Sequence, residues 1–312
     1  MVFLWRERKN WRILNEICMK NIVLKNWEEP SCPTMYKYYS YDDSLNIKRL
    51  SGEIYFNSPD RFNDLFDAQH DIINNINDVK IEDVKNRLKE IGYSDYENKA
   101  TLLQGNDNNQ LVKEIRKKQI ENVGITCFTD SPENVLMWAY YGENKGYCIE
   151  YDMNVIKNNI AEMLQNEYSK KMIEADANKR IMAKKVKYRK SIDLPKAPLF
   201  FDNNKDDESQ PYSKYFYKLK DWNREKEYRI ALSLLPRQSL KFDNAVKSIT
   251  IGYYMDDSNI LSLLGIIAQQ NNDIKVYFLS KDNEALKRKE FRFNKREEFS
   301  ELLKRIKEFR GN

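Results

Sequence analysis

Five apolar runs constrain this chain more than any other feature: VGITCFTD (123–130), GYCIEYD (146–152), YRIALSLL (228–235), VKSITIGY (246–253) and DIKVYFLS (273–280). Each has the length of a strand rather than a helix, is rich in β-branched and aromatic residues, and reads as buried. Helical spacing appears between them, as at 256–270. Strands mixed with helices and clustered late in the chain predict an α+β fold with a mainly antiparallel or mixed sheet. With 312 residues, the chain can bury one large core and carry insertions on it.

Earlier segments add a compact strand–helix–strand start. MYKYYS (35–40) and EIYFNS (53–58) read as strands, joined by a short helix through Leu45, Ile47 and Leu50. Before them, Leu4, Trp11, Leu14, Ile17, Cys18 and Leu24 predict a leading helix over 3–27, ended by Pro30 and Pro33. Amphipathic helices at 81–91 and 109–122 form an insertion spanning about 78–122. A helix carries NVLMWAYYG, a long charged helix covers 153–182, and a strand follows at 184–189. The acidic stretch 190–211 reads as a mobile loop or lid, and YSKYFYKLKDW as helix-like. EFRFN (290–294) is one more candidate strand. The organisation expected is 1–34 as helix and linker, 35–294 as one α+β domain and 295–312 as a basic helix.

Charge excludes little. Net charge is +5, from 53 Lys and Arg against 48 Asp and Glu, and the two signs are interspersed, which describes a solvated surface better than a nucleic-acid footprint. Cys18, Cys32, Cys127 and Cys148 have no CxxC spacing and fit reduced, apolar cysteines. The single histidine, His70, rules out a histidine-rich zinc site and lies in no nucleophile motif. The N-terminus shows no signal-peptide pattern and no run of about 18 apolar residues exists, so the expectation is a cytoplasmic protein without a membrane partner.

The stretch WNREKEYRI (222–230) carries the densest chemistry. Residues two apart share a face of a strand, so Glu225, Glu227 and Arg229 are expected on one side, with Lys226, Tyr228 and Ile230 on the other. Two neighbouring carboxylates split their proton affinities, and a guanidinium keeps one of them ionised. The bland alternative is an ion-paired strand face. FNDLFD (62–67) offers Asn63, Asp64 and Asp67, which most simply serve a turn. Trp138 and Tyr141 in MWAYYG (137–142) share a helical face, as core residues commonly do.

In order, YKY, FNDxxD, CFT, MWxxYG, GYCIEYD and WxxEKEYR resemble, over about 35–280, a bacterial family known as a domain of unknown function. Where members often have Arg after YKY, this chain has Tyr39. More distantly, the strand–helix–strand start and the late Glu-x-Glu strand are similar to the ADP-ribosyltransferase fold. That resemblance implies a split sheet gripping NAD as substrate, with no metal, and transfer to a protein or nucleic-acid acceptor. By position it makes Glu227 the catalytic carboxylate and Glu225 the residue that orients the acceptor. Tyr36 or Tyr38 stands where the fold often places Arg or His, and Thr126 or Thr129 supplies a middle hydroxyl. Trp138 or Tyr141 stacks on nicotinamide, and Asn63, Asp64 and Arg229 complete the binding set. A toxin-like or anti-phage role is what such a resemblance suggests.

Two rivals stand beside it. A metal-dependent nuclease would use Asp64 or Asp67 with Glu225 or Glu227, although Lys226, on the opposite face, leaves it without the usual lysine. A non-enzymatic regulatory module with a partner protein would make the charges structural, and Glu227→Gln would then cost little stability.

Overall fold

The late apolar runs pair side by side, because strands apolar on both faces bury both only inside a sheet that is covered twice. The computed structural model describes residues 24, 26–64, 66–68, 72–105, 108–167, 181–190, 196–200, 210–233, 235–270 and 273–311. Most of the expected leading helix, Cys18, His70 and much of the 190–211 segment lie outside the described residues.

The chain opens with β1 (Thr34–Tyr39), α1 (Asp43–Leu50), β2 (Glu53–Phe56) and β3 (Ile72–Ile73). Asp42 caps α1 by accepting from the Ser44 backbone N–H. The insertion contains α2 (Ile81–Glu90), α3 (Tyr96–Leu103) and α4 (Asn109–Glu121). Then come β4 (Val123–Thr129), α5 (Val135–Tyr141), β5 (Tyr147–Asp152), α6 (Met153–Glu167), β6 (Ile181–Lys185), β7 (Lys187–Arg189) and β8 (Ala197–Pro198). The last part holds β9 (Tyr217–Leu219), β10 (Glu227–Ser233), β11 (Gln238–Lys241), β12 (Val246–Ile251), α7 (Asp257–Gln269), β13 (Lys275–Asp282), β14 (Ala285–Glu290) and α8 (Phe299–Arg310).

Eight strands form one sheet in the order β14-β13-β12-β5-β1-β4-β10-β6. Only β12 and β13 within it run parallel, and α7 makes their crossover. The fold is therefore α+β with a large, mostly antiparallel mixed sheet. The sheet is weakest between β1 and β4, which meet at the single pair Tyr36↔Thr129. By contrast β1 pairs with β5 along its whole length, and β10 pairs with β4 from Glu227↔Thr129 to Ser233↔Val123.

One face of the sheet carries the main core, where Met35, Ile149, Tyr151, Tyr228 and Ile230 pack under α6 and α7. Leu302 and Ile306 of α8 join that same core, so the C-terminal helix is bound into the domain. The insertion helices pack around their own cluster of Val84, Leu88, Leu103 and Ile115, closed by Leu199 and Phe200.

Three local expectations change. YSKYFYKLKDW forms a 3-10 turn (Ser213–Phe216), the short strand β9 and a second 3-10 segment (Lys220–Glu225), not a helix. Tyr217 and Lys218 are both buried, which a helix with one wet face would not achieve. The last strand lies at 285–290 instead of 290–294, an exposed and charged edge with no apolar period to reveal it. Helix α3 was not expected at all.

Candidate functional site

β10 works as a two-sided strand. Tyr228, Ile230 and Leu232 enter the main core, while Glu227 and Arg229 emerge on the opposite face. Glu225 does not share the strand. It ends the 3-10 segment Lys220–Glu225, and Lys226, in the left-handed region at φ 48°, turns the backbone into β10. The Glu225 carbonyl is held by the Thr129 hydroxyl at 2.8 Å. Lys226 points outward to Asp130 across the surface.

The two carboxyl groups nevertheless meet, through a residue from another strand. Lys218 Nζ of β9 lies 2.5 Å from Glu225 Oε2 and 2.7 Å from Glu227 Oε1. The lysine that Lys226 does not supply to the carboxylates thus comes from β9. Arg229 donates from Nε to Glu227 Oε2 at 2.6 Å, and from Nη1 and Nη2 to the two oxygens of Asp67 at 2.8 and 2.6 Å. Its fork also reaches the Tyr215 carbonyl. Tyr141 donates to Glu225 Oε1 at 2.8 Å, and Tyr188 accepts from the Glu227 backbone N–H. The cluster is deeply buried: Arg229 is 1 % exposed and Glu227 5 %.

Burial and neighbours set the two glutamates apart. Burial raises the Glu225 carboxyl, Glu227 beside it raises it further, and Lys218 only partly opposes this, leaving it at about 8. Burial would raise Glu227 too, but the Arg229 and Lys218 cations outweigh it and hold it well below the carboxylate range. Near neutrality the pair thus holds one proton, on Glu225. Lys218 is kept charged because the glutamates and Asp67 outweigh its burial.

Glu227, Lys218 and Arg229 line one end of a cleft of about 790 Å³ that opens where β1 and β4 part. Beyond the single shared rung, Lys37 Nζ meets the Cys127 carbonyl at 3.0 Å, standing in for a ladder hydrogen bond. Burial lowers the Lys37 amine and pushes the Cys127 thiol up to about 12, so the thiol is no nucleophile. A second cavity, of about 510 Å³, adjoins on the far side of Glu225 and is lined by Asp64, Tyr140 and Trp222.

Residues 137–230 match the sequence model of a family described as a protein of unknown function (DUF2971). That segment carries Tyr141, Lys218, Glu225, Glu227 and Arg229, but not Asp67 or Lys37. No curated protein and no solved structure matches the chain.

The structure gathers some of the expected residues and disperses others. Glu225, Glu227, Arg229 and Tyr141 form the cluster, and Asn63 approaches the Tyr141 hydroxyl at 3.4 Å. Tyr36 and Tyr38 line the cleft wall with their hydroxyls committed elsewhere, to Glu150 and to the Ser131 carbonyl. Asp64, 7 % exposed, accepts from the Phe66 N–H and sits at the second cavity. Thr129 serves the Glu225 backbone and Thr126 is buried. Trp138 corrects the stacking expectation: it is fully buried against Tyr38, with its indole N–H on the Pro132 carbonyl, so no ring face is left for a ligand.

Lys218, Lys37 and Tyr188 were not in the expected site set, and Asp67 was expected only as a turn residue or in the nuclease reading. A lysine flanked by aromatics, as in YKY and FYKL, is the one signal that could have found two of them.

Proposed function

We propose that the cleft binds a dinucleotide of the NAD type and that the Glu225–Glu227 pair acts on its glycosidic bond, as in ADP-ribosyl transfer. One observation carries the reading: two carboxyl groups held on one lysine, Glu227 facing a cleft lined by tyrosines and cations and Glu225 facing the adjoining cavity.

The chemistry suits the pair. When the bond from the ribose C1′ to the nicotinamide nitrogen breaks, its electron pair leaves with the ring, which departs neutral and needs no acid. Positive charge develops at C1′, and the fixed Glu227 carboxylate stabilises it in a water-poor cleft. An acceptor lone pair then forms the new bond to C1′, and its proton passes to Glu225 in its ionised form. A group titrating near 8 exchanges that proton at physiological pH.

A metal-based nuclease is less well supported by the donor set. Both oxygens of Asp67 lie on Arg229, and Glu227 is shared between Lys218 and Arg229. A divalent ion would have to displace these cations. Among the described residues no group of three or more His, Cys, Asp or Glu is arranged to hold a metal.

A structural ion cluster is the second reading, favoured by the saturation of Glu227. It does not, however, allow Glu227→Gln to be cheap, since both cations lose a buried partner. Glu225→Gln is the better probe, because it mimics the protonated carboxyl. Wild type and Glu225→Gln are incubated with NAD labelled in the adenylate half, with lysate protein, nucleic acid or buffer as acceptor. Nicotinamide release or label transfer by wild type, lost in the variant, supports the reading and names the acceptor class. No release with any acceptor overturns it.

A further inference from the structure

The cations of the cleft fall into two sets, one paired with carboxylates and one not. Of the charged residues lining the cleft, six are cations, and only Glu53, Asp67 and Glu227 are carboxylates. Lys218 and Arg229 are used up by Glu227, Asp67 and Glu225. Lys37, Lys48, Arg49 and Arg61 remain, gathered between β1, α1 and the turn after β2.

Two of them are fixed in place. Lys37 is held by the Cys127 carbonyl, with its amine within 6 Å of the Tyr39 and Phe128 ring centres. That leaves the ammonium two further donors. The Arg49 guanidinium lies 4.6 Å over the Tyr39 ring and donates from Nη1 to the Ser40 carbonyl and the Tyr147 hydroxyl. Its Nε and Nη2 have no partner among the described residues. Neither cation forms an ion pair with a described carboxylate.

A half-buried lysine with no carboxylate in ion-pair contact is costly, and a neutral donor or a water would satisfy the Cys127 carbonyl as well. Burial lowers the proton affinity of Lys37, and the Glu227 carboxylate, too far away for an ion pair, offsets this only in part. The residue fits the place if an anion completes it.

We infer that this set of cations forms a phosphate site in the cleft, with Lys37 and Arg49 as its fixed donors and Lys48 and Arg61 at its rim, taking the phosphates of a nucleotide. The inference rests on the cleft being the ligand site, not on the chemistry assigned to the glutamates. Tyr39, Tyr55 and Leu45 at the mouth supply apolar surface for the rest of such a ligand.

The test is calorimetric titration of ADP into the full chain, wild type, Lys37→Gln and Arg49→Gln. Glutamine at 37 still offers the Cys127 carbonyl a donor while removing the charge, and Arg49 lies on a half-exposed helix face, where its loss leaves the fold intact. Loss of a charge-assisted bond corresponds to about tenfold or more in Kd. The expected result is ADP binding by wild type, weakened by that factor in both variants and weakened by salt. Failure of wild type to bind ADP, or unchanged affinity in both variants, overturns the inference. ADP binding without nicotinamide release keeps the phosphate site and removes the proposed chemistry. Nicotinamide release with KM for NAD unchanged in both variants does the reverse.

Discussion

Two sets of cations in the cleft handle buried charge in opposite ways. Lys218 and Arg229 are knitted to Asp67, Glu225 and Glu227, and each has its carboxylate. Lys37 and Arg49 make no ion pair with a described carboxylate and hold only carbonyls, a hydroxyl and ring faces. Residues of the first kind are expected to matter to the free protein, and residues of the second kind to the bound one.

The largest effect expected is on stability in the paired set. Arg229→Met leaves Asp67 and Glu227 buried without their guanidinium and should cost about 3–5 kcal/mol in a denaturant titration. The triple change Asp67→Asn, Glu227→Gln, Arg229→Met should recover much of that loss, because Glu225, freed of its acidic neighbour, ionises and pairs with the remaining Lys218. A cost under about 1 kcal/mol for Arg229→Met alone would break the comparison.

Glu225 sharpens it through pH. Its folded-state affinity, at about 8, lies above that of an exposed glutamate near 4.5. The native state therefore binds more protons than the unfolded state between those values, and stability falls as pH rises through that window. Glu225→Gln removes this slope, so its Tm should gain on wild type from pH 6 to pH 9. The wild-type rate of transfer should rise through about pH 8, and the variant should show no such rise.

In the unpaired set, Lys37→Gln should leave stability within about 1 kcal/mol, or raise it, since a buried charge without an ion-pair partner is removed. Smallest of all is Lys48→Gln, on the exposed rim. Its effect on ADP affinity should be about twofold and should vanish at high salt, as screening removes a surface charge.

Much of this was legible in the residues, for reasons that can be stated. β4, β5, β10, β12 and β13 announce themselves because a strand buried on both faces must be apolar throughout. The exposed edge β14 and the three-residue β9 carry no such signal. Glu225 and Glu227 stand out as acids in an apolar setting, and their meeting was foreseen by strand alternation. The meeting is instead made by the left-handed Lys226 and by Lys218, nine residues before Glu227. A partner chosen by tertiary packing leaves no local period. The split of the sheet could be expected only from the resemblance, because a strand that pairs on one side only reads like one that pairs on both.

The single rung between β1 and β4 also bears on how the chain assembles. Strands on one side of it are β1, β5, β12, β13 and β14, and on the other β4, β6 and β10, so the backbone crosses the opening four times. Neither half is a continuous piece of chain, and the segment 137–230 holds β5 and β10 without the two strands that lie between them. Contacts this distant in sequence make for slow, late-closing folding routes. A nascent or truncated chain that lacks β1 or β4 therefore lacks the opening between them.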